Sequence, residues 1–261
     1  MKKILFLLCF ISISHLIFVR DINSQISNAS EDIQTAYQEG INAYNSGQFD
    51  EAIKIFKKVI EEKPETLEAY YMIAAAYLQL NQNNEAISYL KNAINLNPNS
   101  AESYIRLGST YIRMGQYETA ISVLEKAIEI DPYDAAAYAH LGGAYVSLRM
   151  PEKATPYLKK AIEIQPNNLA KYNLEAKTYA FLGNASAPKD GIAYLLKAVE
   201  INPDFPDTYL FLGSAYAGLR QYEDSNKNFQ KAKELYQLQG NSVGVHLAER
   251  GQSLLSTASS K

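Results

Sequence analysis

Histidine and cysteine are the side chains best suited to chemistry near neutral pH. This 261-residue chain has His15, His140, His246 and a single cysteine, Cys9. A metal site needs such ligands grouped, and a nucleophile needs a base within hydrogen-bond reach. No Gly-Lys-Ser/Thr phosphate loop and no His-Glu-x-x-His pair is present, and no Gly-x-Ser-x-Gly elbow is expected. Each histidine therefore reads as a packed or solvated residue, and no catalytic residue, metal or cofactor is expected. A small cationic cluster remains. Arg106 and Arg113, seven residues apart on one helix, point the same way about 10 Å apart. His140 follows Arg106 after 34 residues. The plainer reading of Arg106 is an ion pair with Glu102 one turn back.

The elements that hold these residues repeat. Pro64, Pro98, Pro132, Pro166 and Pro203 are separated by 34, 34, 34 and 37 residues. Gly40, Gly108, Gly142 and Gly213 hold one place in the unit, with Ala74 and Ala176 as small substitutes. Ala52, Ala86, Ala120 and Ala154 hold a second. Tyr70, Tyr104, Tyr138, Tyr172 and Tyr209 recur at a third, and Tyr77, Tyr111, Tyr145, Tyr179 and Tyr216 at a fourth. Small residues suit a close helix crossing, tyrosines seven apart share one helical face, and proline stops a helix by lacking a donor. No segment alternates with period two, so no strand is expected.

These residues resemble the tetratricopeptide repeat (TPR) family. The unit 101–134 carries Tyr104, Leu107-Gly108, Tyr111, Tyr117, Ala120, Leu124, Ala127 and Pro132. The resemblance implies an all-α, right-handed superhelical solenoid of about six helix-turn-helix units. The units fall at 33–66, 67–100, 101–134, 135–168, 169–205 and 206–239. Residues 240–261 then form a capping helix and tail, with Val243, Leu247 and Leu254 facing the array. The fifth unit is longer because Gly183–Pro188 enlarges its inter-helix turn. Its Gly191, replacing alanine, should weaken the second helix by about 1 kcal/mol. In the sixth unit Gln237 stands where proline is expected, so that helix should run on.

The resemblance also implies a binding surface on the first helix of each unit. By register it comprises Tyr37, Gln38 and Ile41, then Tyr71, Met72 and Ala75, then Ile105, Arg106, Ser109 and Arg113, and His140. Ala139, Gly143, Asn173, Lys177, Leu210 and Ser214 extend it. Tyr37 with Ile41, and Tyr71 with Ala75, occupy the places where some family members grip a chaperone-tail carboxylate with Lys and Asn, so that clamp is not expected. The implied function is a non-enzymatic protein–protein interaction scaffold that binds a protein or peptide segment with bulky apolar side chains. A pilus or envelope assembly factor is the alternative, and an enzyme accessory subunit a remote one. A formal net charge of −3 argues against nucleic acid. No small-molecule substrate is expected.

Residues 1–24 stand apart. Lys2 and Lys3 precede an apolar run from Ile4 to Val19, and Arg20-Asp21 close it. This reads as an export signal cleaved after Ser24, or as an uncleaved membrane tether through residues 4–19. Either places the protein in an exported compartment, periplasmic or secreted. Residues 25–32 are the linker to the repeats. Asn28-Ala-Ser30 and Asn184-Ala-Ser186 match glycosylation acceptors and are assigned no role.

Overall fold

The computed structural model describes residues 32–164 and 175–258, and among these the only regular elements are helices. The leader with Cys9 and His15, the acceptor at Asn28, and Pro166, Tyr172 and Asn173 lie outside the described residues. The chain divides into two compact units, residues 1–98 and 99–261.

The first unit holds α1 (residues 32–45), α2 (Phe49–Glu62), α3 (Leu67–Gln79) and α4 (Asn83–Leu96). Ala52, Phe56, Val59, Ala69, Ile73 and Ala76 share its core. Phe56 is fully buried because Gly40 leaves room for its ring, and a Cβ at position 40 would sit 2.7 Å from Phe56 Cζ. Tyr77 and Tyr89 stack with centroids 5.6 Å apart, and the Lys57 ammonium lies 5.8 Å from each ring. Two of the tyrosines thus make cation–π contacts as well as packing.

The second unit holds nine helices among its described residues. These are α5 (Ala101–Arg113), α6 (Tyr117–Ile130), α7 (Ala135–Ser147), α8 (Pro151–Ile164), α9 (Glu175–Ala185), α10 (Pro188–Ile201), α11 (Pro206–Gly218), α12 (Tyr222–Leu238) and α13 (Ser242–Ala258). Each helix packs on the next. The first helices also lie beside one another, α5 by α7, α7 by α9, α9 by α11 and α11 by α13. Small residues permit the crossings. A Cβ at Gly108 would meet Leu124 Cγ at 2.6 Å, and one at Gly142 would meet Leu158 Cγ at 2.6 Å.

The turn between the paired helices is built the same way five times. Gly47, Asn81, Gly115, Arg149 and Arg220 all have positive φ, between 58° and 75°. In each case the next residue's N–H reaches back to a carbonyl in the preceding helix, as from Gln82 to Tyr77 O at 2.8 Å and from Met150 to Tyr145 O at 2.9 Å. A left-handed residue followed by this long backward bond is how a helix ends on its own carbonyls. The second helices stop differently, with Pro64, Pro98, Pro132 and Pro203 two residues past the ends of α2, α4, α6 and α10. The absence of such a proline lets α12 run 17 residues, against 14 for α6 and α10.

Three expectations are corrected. In the fifth repeat, Gly183 falls 34 residues after Arg149 yet does not break the helix, because α9 continues to Ala185 and only Ser186-Ala187 separate it from α10. The added residues lengthen the helix and not the turn, which is two residues here against three between α5 and α6. Gly191 is also no weak substitute for alanine, since a Cβ there would run into the Gly183 carbonyl oxygen. In α13, Val243, Leu247 and Leu254 do not face the array, being 70%, 45% and 61% exposed. The inward row is Gly244, Ala248, Gly251 and Leu255, and its small residues admit Tyr236 and Phe229.

Candidate peptide-binding face

Successive residues of a helix point about 100° apart, so adjacent register places on the first helices can have opposite fates. The place held by Tyr37, Tyr71, Ile105 and Ala139 turns inward. Tyr37 is half-buried with its ring edge on Phe56, centroids 5.4 Å apart, while Tyr71 is 9%, Ile105 1% and Ala139 4% exposed. Ile105 shares a core with Ala127, Ala136 and Ala139. Tyr71 and Ile105 therefore do not line an open surface, which corrects the expectation from register alone, whereas Ala139, though mostly covered, lines the groove described below.

The next place, one residue later, is open. Gln38 is exposed and donates to Asn42 Oδ1 at 3.3 Å. Met72 and Ile41 are half-buried against the first unit's core, and Ala75 is half-buried. Arg106 is half-buried and held by Glu102, with both Nε and Nη2 at 2.7 Å from Oε1. The plainer reading of Arg106 is thus the observed one. Ser109 donates to the Arg106 carbonyl at 2.9 Å, and Arg113 is exposed at the end of α5.

His140 is not part of a cationic cluster. Burial and the neighbouring Lys177 charge push its pKa down to about 3, so its imidazole is neutral at pH 7. A cation stands beside it in Lys177, whose ammonium lies 5.5 Å from the Phe181 ring. Ala139, His140, Gly143 and Ser147 of α7, Ile112 of α5, and Lys177, Thr178 and Phe181 of α9 line one small groove of about 30 Å³. Phe181 lies across Gly143, where a Cβ would sit 2.8 Å from Cε2. Its ring also meets Phe211 of α11, centroids 6.4 Å apart. Phe181 and Phe211 were missed by sequence reading, although register pointed to them. Phe181 follows Ser147 by 34 residues, and Phe211 follows His140 by 71, the sum of one 34- and one 37-residue step.

Gly240-Asn241-Ser242-Val243-Gly244 spells the Gly-x-Ser-x-Gly pattern, which corrects the expectation that the chain holds none. That pattern works as a nucleophile elbow between a strand and a helix. Here it joins α12 to α13, with exposed Ser242 opening the helix and Asn241 Oδ1 accepting from Gly244 N–H at 3.0 Å. It is a helix cap. Among the described residues, no group of three or more His, Cys, Asp or Glu could hold a metal ion, and no helix is long and apolar enough to cross a membrane.

The sequence model of the family described as Cilia and flagella-associated protein 70 C-terminal domain, a TPR family, matches residues 18–249. No curated protein matches this sequence. Among solved structures, YrrB, described as a TPR protein with an unusual peptide-binding site, is 23% identical, with TM-score 0.51 over 75% of this chain and 97% of its own. A thermophilic TPR protein of Thermus thermophilus, TTC0263, is 24% identical, with TM-score 0.55 over 71% of this chain and 99% of its own. PilF of Pseudomonas aeruginosa is 14% identical, with TM-score 0.64 over 84% of this chain and 97% of its own. Likeness at these identities carries the fold.

Proposed function

This chain belongs to the tetratricopeptide-repeat family represented by the Cilia and flagella-associated protein 70 C-terminal domain, a family of protein-interaction scaffolds, and on that premise we propose that it binds a peptide segment on the open face of its first helices and is not an enzyme. The observation that carries the reading is the groove between α7 and α9. Phe181, seated across buried Gly143 and beside Phe211, offers an apolar wall, with one ammonium at Lys177. YrrB, with its unusual peptide-binding site, is a precedent for a peptide site on this fold. Peptide-phage selection on the full chain tests it. Recovered peptides should lose affinity for Ser147→Trp, whose new side chain would project from an exposed place at the groove mouth. Peptides that bind this variant as well as wild type would remove the groove from consideration.

We place the scaffold in an exported compartment, secreted or tethered through residues 4–19. Lys2-Lys3 followed by the apolar run supports this. Fractionation of the producing cell, with the mature N-terminus sequenced, separates the outcomes. A chain starting at Met1 in the cytosolic fraction would end the proposal.

A further inference from the structure

The last helix exposes more apolar side chain than a cap should, since a terminal repeat ordinarily presents a polar outer face. Its register explains where that surface lies. The inward row of α11, Thr208, Leu212 and Ala215, is repeated in α13 by Gly244, Ala248 and Gly251, each 36 residues later, and the helices begin 36 residues apart at Pro206 and Ser242. By the same shift Leu247 stands at the place of Phe211, Arg250 at that of Ser214, Leu254 at that of Gly218, and Glu249 at that of Gly213.

The Glu249 place separates two readings of the exposed surface. At Gly108, Gly142 and Gly213 this place lies against the second helix of the same repeat, and a Cβ there would already be too close to Leu124, Leu158 or Phe229. In α13 a whole glutamate occupies it, and its carboxylate pairs with Lys233 at 2.8 Å. Gln252 reaches back the same way, donating to Asn226 Oδ1 at 3.0 Å. A further second helix is therefore not admitted, and the exposed row of α13 is not awaiting one. Leu247 and Leu254 fall instead in the register rows that carry Phe211 and Phe181. Lys177 and Arg250 share one register place, two repeats apart. Among the described residues from His140 to Leu254, these three register places hold His140, Gly143, Ser147, Lys177, Phe181, Phe211, Ser214, Gly218, Leu247, Arg250 and Leu254, and none is a carboxylate. Asp207, one turn before Phe211, has its carboxylate engaged by the Tyr236 hydroxyl. On a chain of net charge −3, this face is locally cationic and apolar.

We propose that α13 completes the binding face, and that this end of the face takes an acidic, apolar-rich linear segment of a partner protein. This rests on the peptide-groove reading above and names the chemistry of its ligand. Charge complementarity selects the acidic residues, and Phe181, Phe211, Leu247 and Leu254 receive the apolar ones.

The test uses the full chain and an array of 15-residue synthetic peptides in which Leu/Phe content and Asp/Glu or Lys/Arg content are varied independently. Binding should be strongest for acidic peptides rich in Leu and Phe. L247D/L254D should weaken those peptides at least tenfold. Both leucines are exposed, and an unchanged helical circular dichroism spectrum would show that folding is intact. K177E/R250E should reverse the preference toward basic peptides. If peptides bind and Ser147→Trp abolishes binding while both double variants match wild type, the groove reading survives and this inference falls. If neutral or basic peptides are preferred by wild type, it falls likewise. If no peptide binds, both fall. A parallel arm uses vesicles of phosphatidylcholine and phosphatidylserine. Vesicle binding that depends on Leu247 and Leu254, without acidic-peptide binding, would assign the row to a membrane surface and overturn the proposal.

Discussion

The α5/α6 and α9/α10 pairs solve the same problem, bringing two helix backbones close, in different ways. In α5/α6 one glycine, Gly108, accepts the large side chain of Leu124, and Leu124 and Ala120 are both fully buried in one cluster. In α9/α10 a glycine on each helix, Gly183 and Gly191, lets backbone approach backbone, with Leu195 against Gly183 as well. In α11/α12, Ser225 stands at the alanine place and donates to the Gly213 carbonyl at 2.7 Å. The register place keeps its geometry across these pairs, while its chemistry changes with what the facing backbone offers. An alanine there is a choice of spacing, and a departure from it reports a local change of approach.

The largest expected effect tests the regular crossing. Gly108→Trp should cost well beyond the 1–3 kcal/mol typical of overpacking, because Leu124 already fills the space. Ser109→Trp, on the open side of the same turn, should change little. Equal melting temperatures would show that the register of α5 is wrong. Next is the reciprocal exchange between the two crossings. On helix propensity alone Gly191→Ala should gain about 1 kcal/mol and Ala120→Gly lose as much. The structure predicts that both lose. The Gly183 carbonyl stands where the new methyl must go, at a cost of about 1–3 kcal/mol. A Gly191→Ala variant that melts higher than wild type would refute the backbone contact.

A smaller effect separates the groove wall from the crossings behind it. His140 in the unfolded chain takes a proton near pH 6.5, but in the fold it stays neutral until about pH 3. Between these values the unfolded state binds more protons, so stability rises with pH through this window and is lost as pH falls. Between pH 7 and 5 the loss should be about 1 kcal/mol, reduced from the full linkage value because the imidazole lies at a solvent-facing groove. His140→Gln should flatten melting temperature over that range. An unchanged pH slope would mean that His140 is solvated enough to titrate normally.

The repeat, the all-helical class, the sixth-unit extension and the presence of a terminal helix were legible because proline, glycine and tyrosine mark backbone requirements that recur with a period. What was not legible depended on size read as hydrophobicity. In α13 two stripes compete at helical spacing, Val243/Leu247/Leu254 and Gly244/Ala248/Gly251/Leu255. The bulkier stripe looks like the core, but Phe229 and Tyr236 supply the bulk, so the helix must supply the gaps. Gly183 misled for the opposite reason. It stands at the left-handed place of the turn, but helical glycine and turn glycine look alike in sequence. The open face was half legible. Its rows follow from register, yet Tyr71 and Ile105 show that one residue's rotation separates surface from core, and the charge of His140 depends on burial that no spacing reveals.

The smallest expected effect returns to the turn that α9 lacks. Arg149 adopts φ 59° and Arg220 φ 60° at a place where the first and third repeats use Gly47 and Gly115. A Cβ in this conformation costs about 1–2 kcal/mol. Introducing glycine removes that strain but adds about 0.4–1 kcal/mol of unfolded-state freedom. Arg149→Gly should therefore stabilise by only about 0.5 kcal/mol, a rise of roughly 1–2 °C for a protein of this size. Asn81, at φ 58° in the same place, already tolerates the left-handed region through its short side chain, so Asn81→Gly should change nothing or lower the melting temperature slightly. Thermal scans of the two variants side by side give the check. If Arg149→Gly destabilises while Asn81→Gly does not, the arginine contributes a contact worth more than its backbone strain, and the five turns are alike in geometry but not in energy.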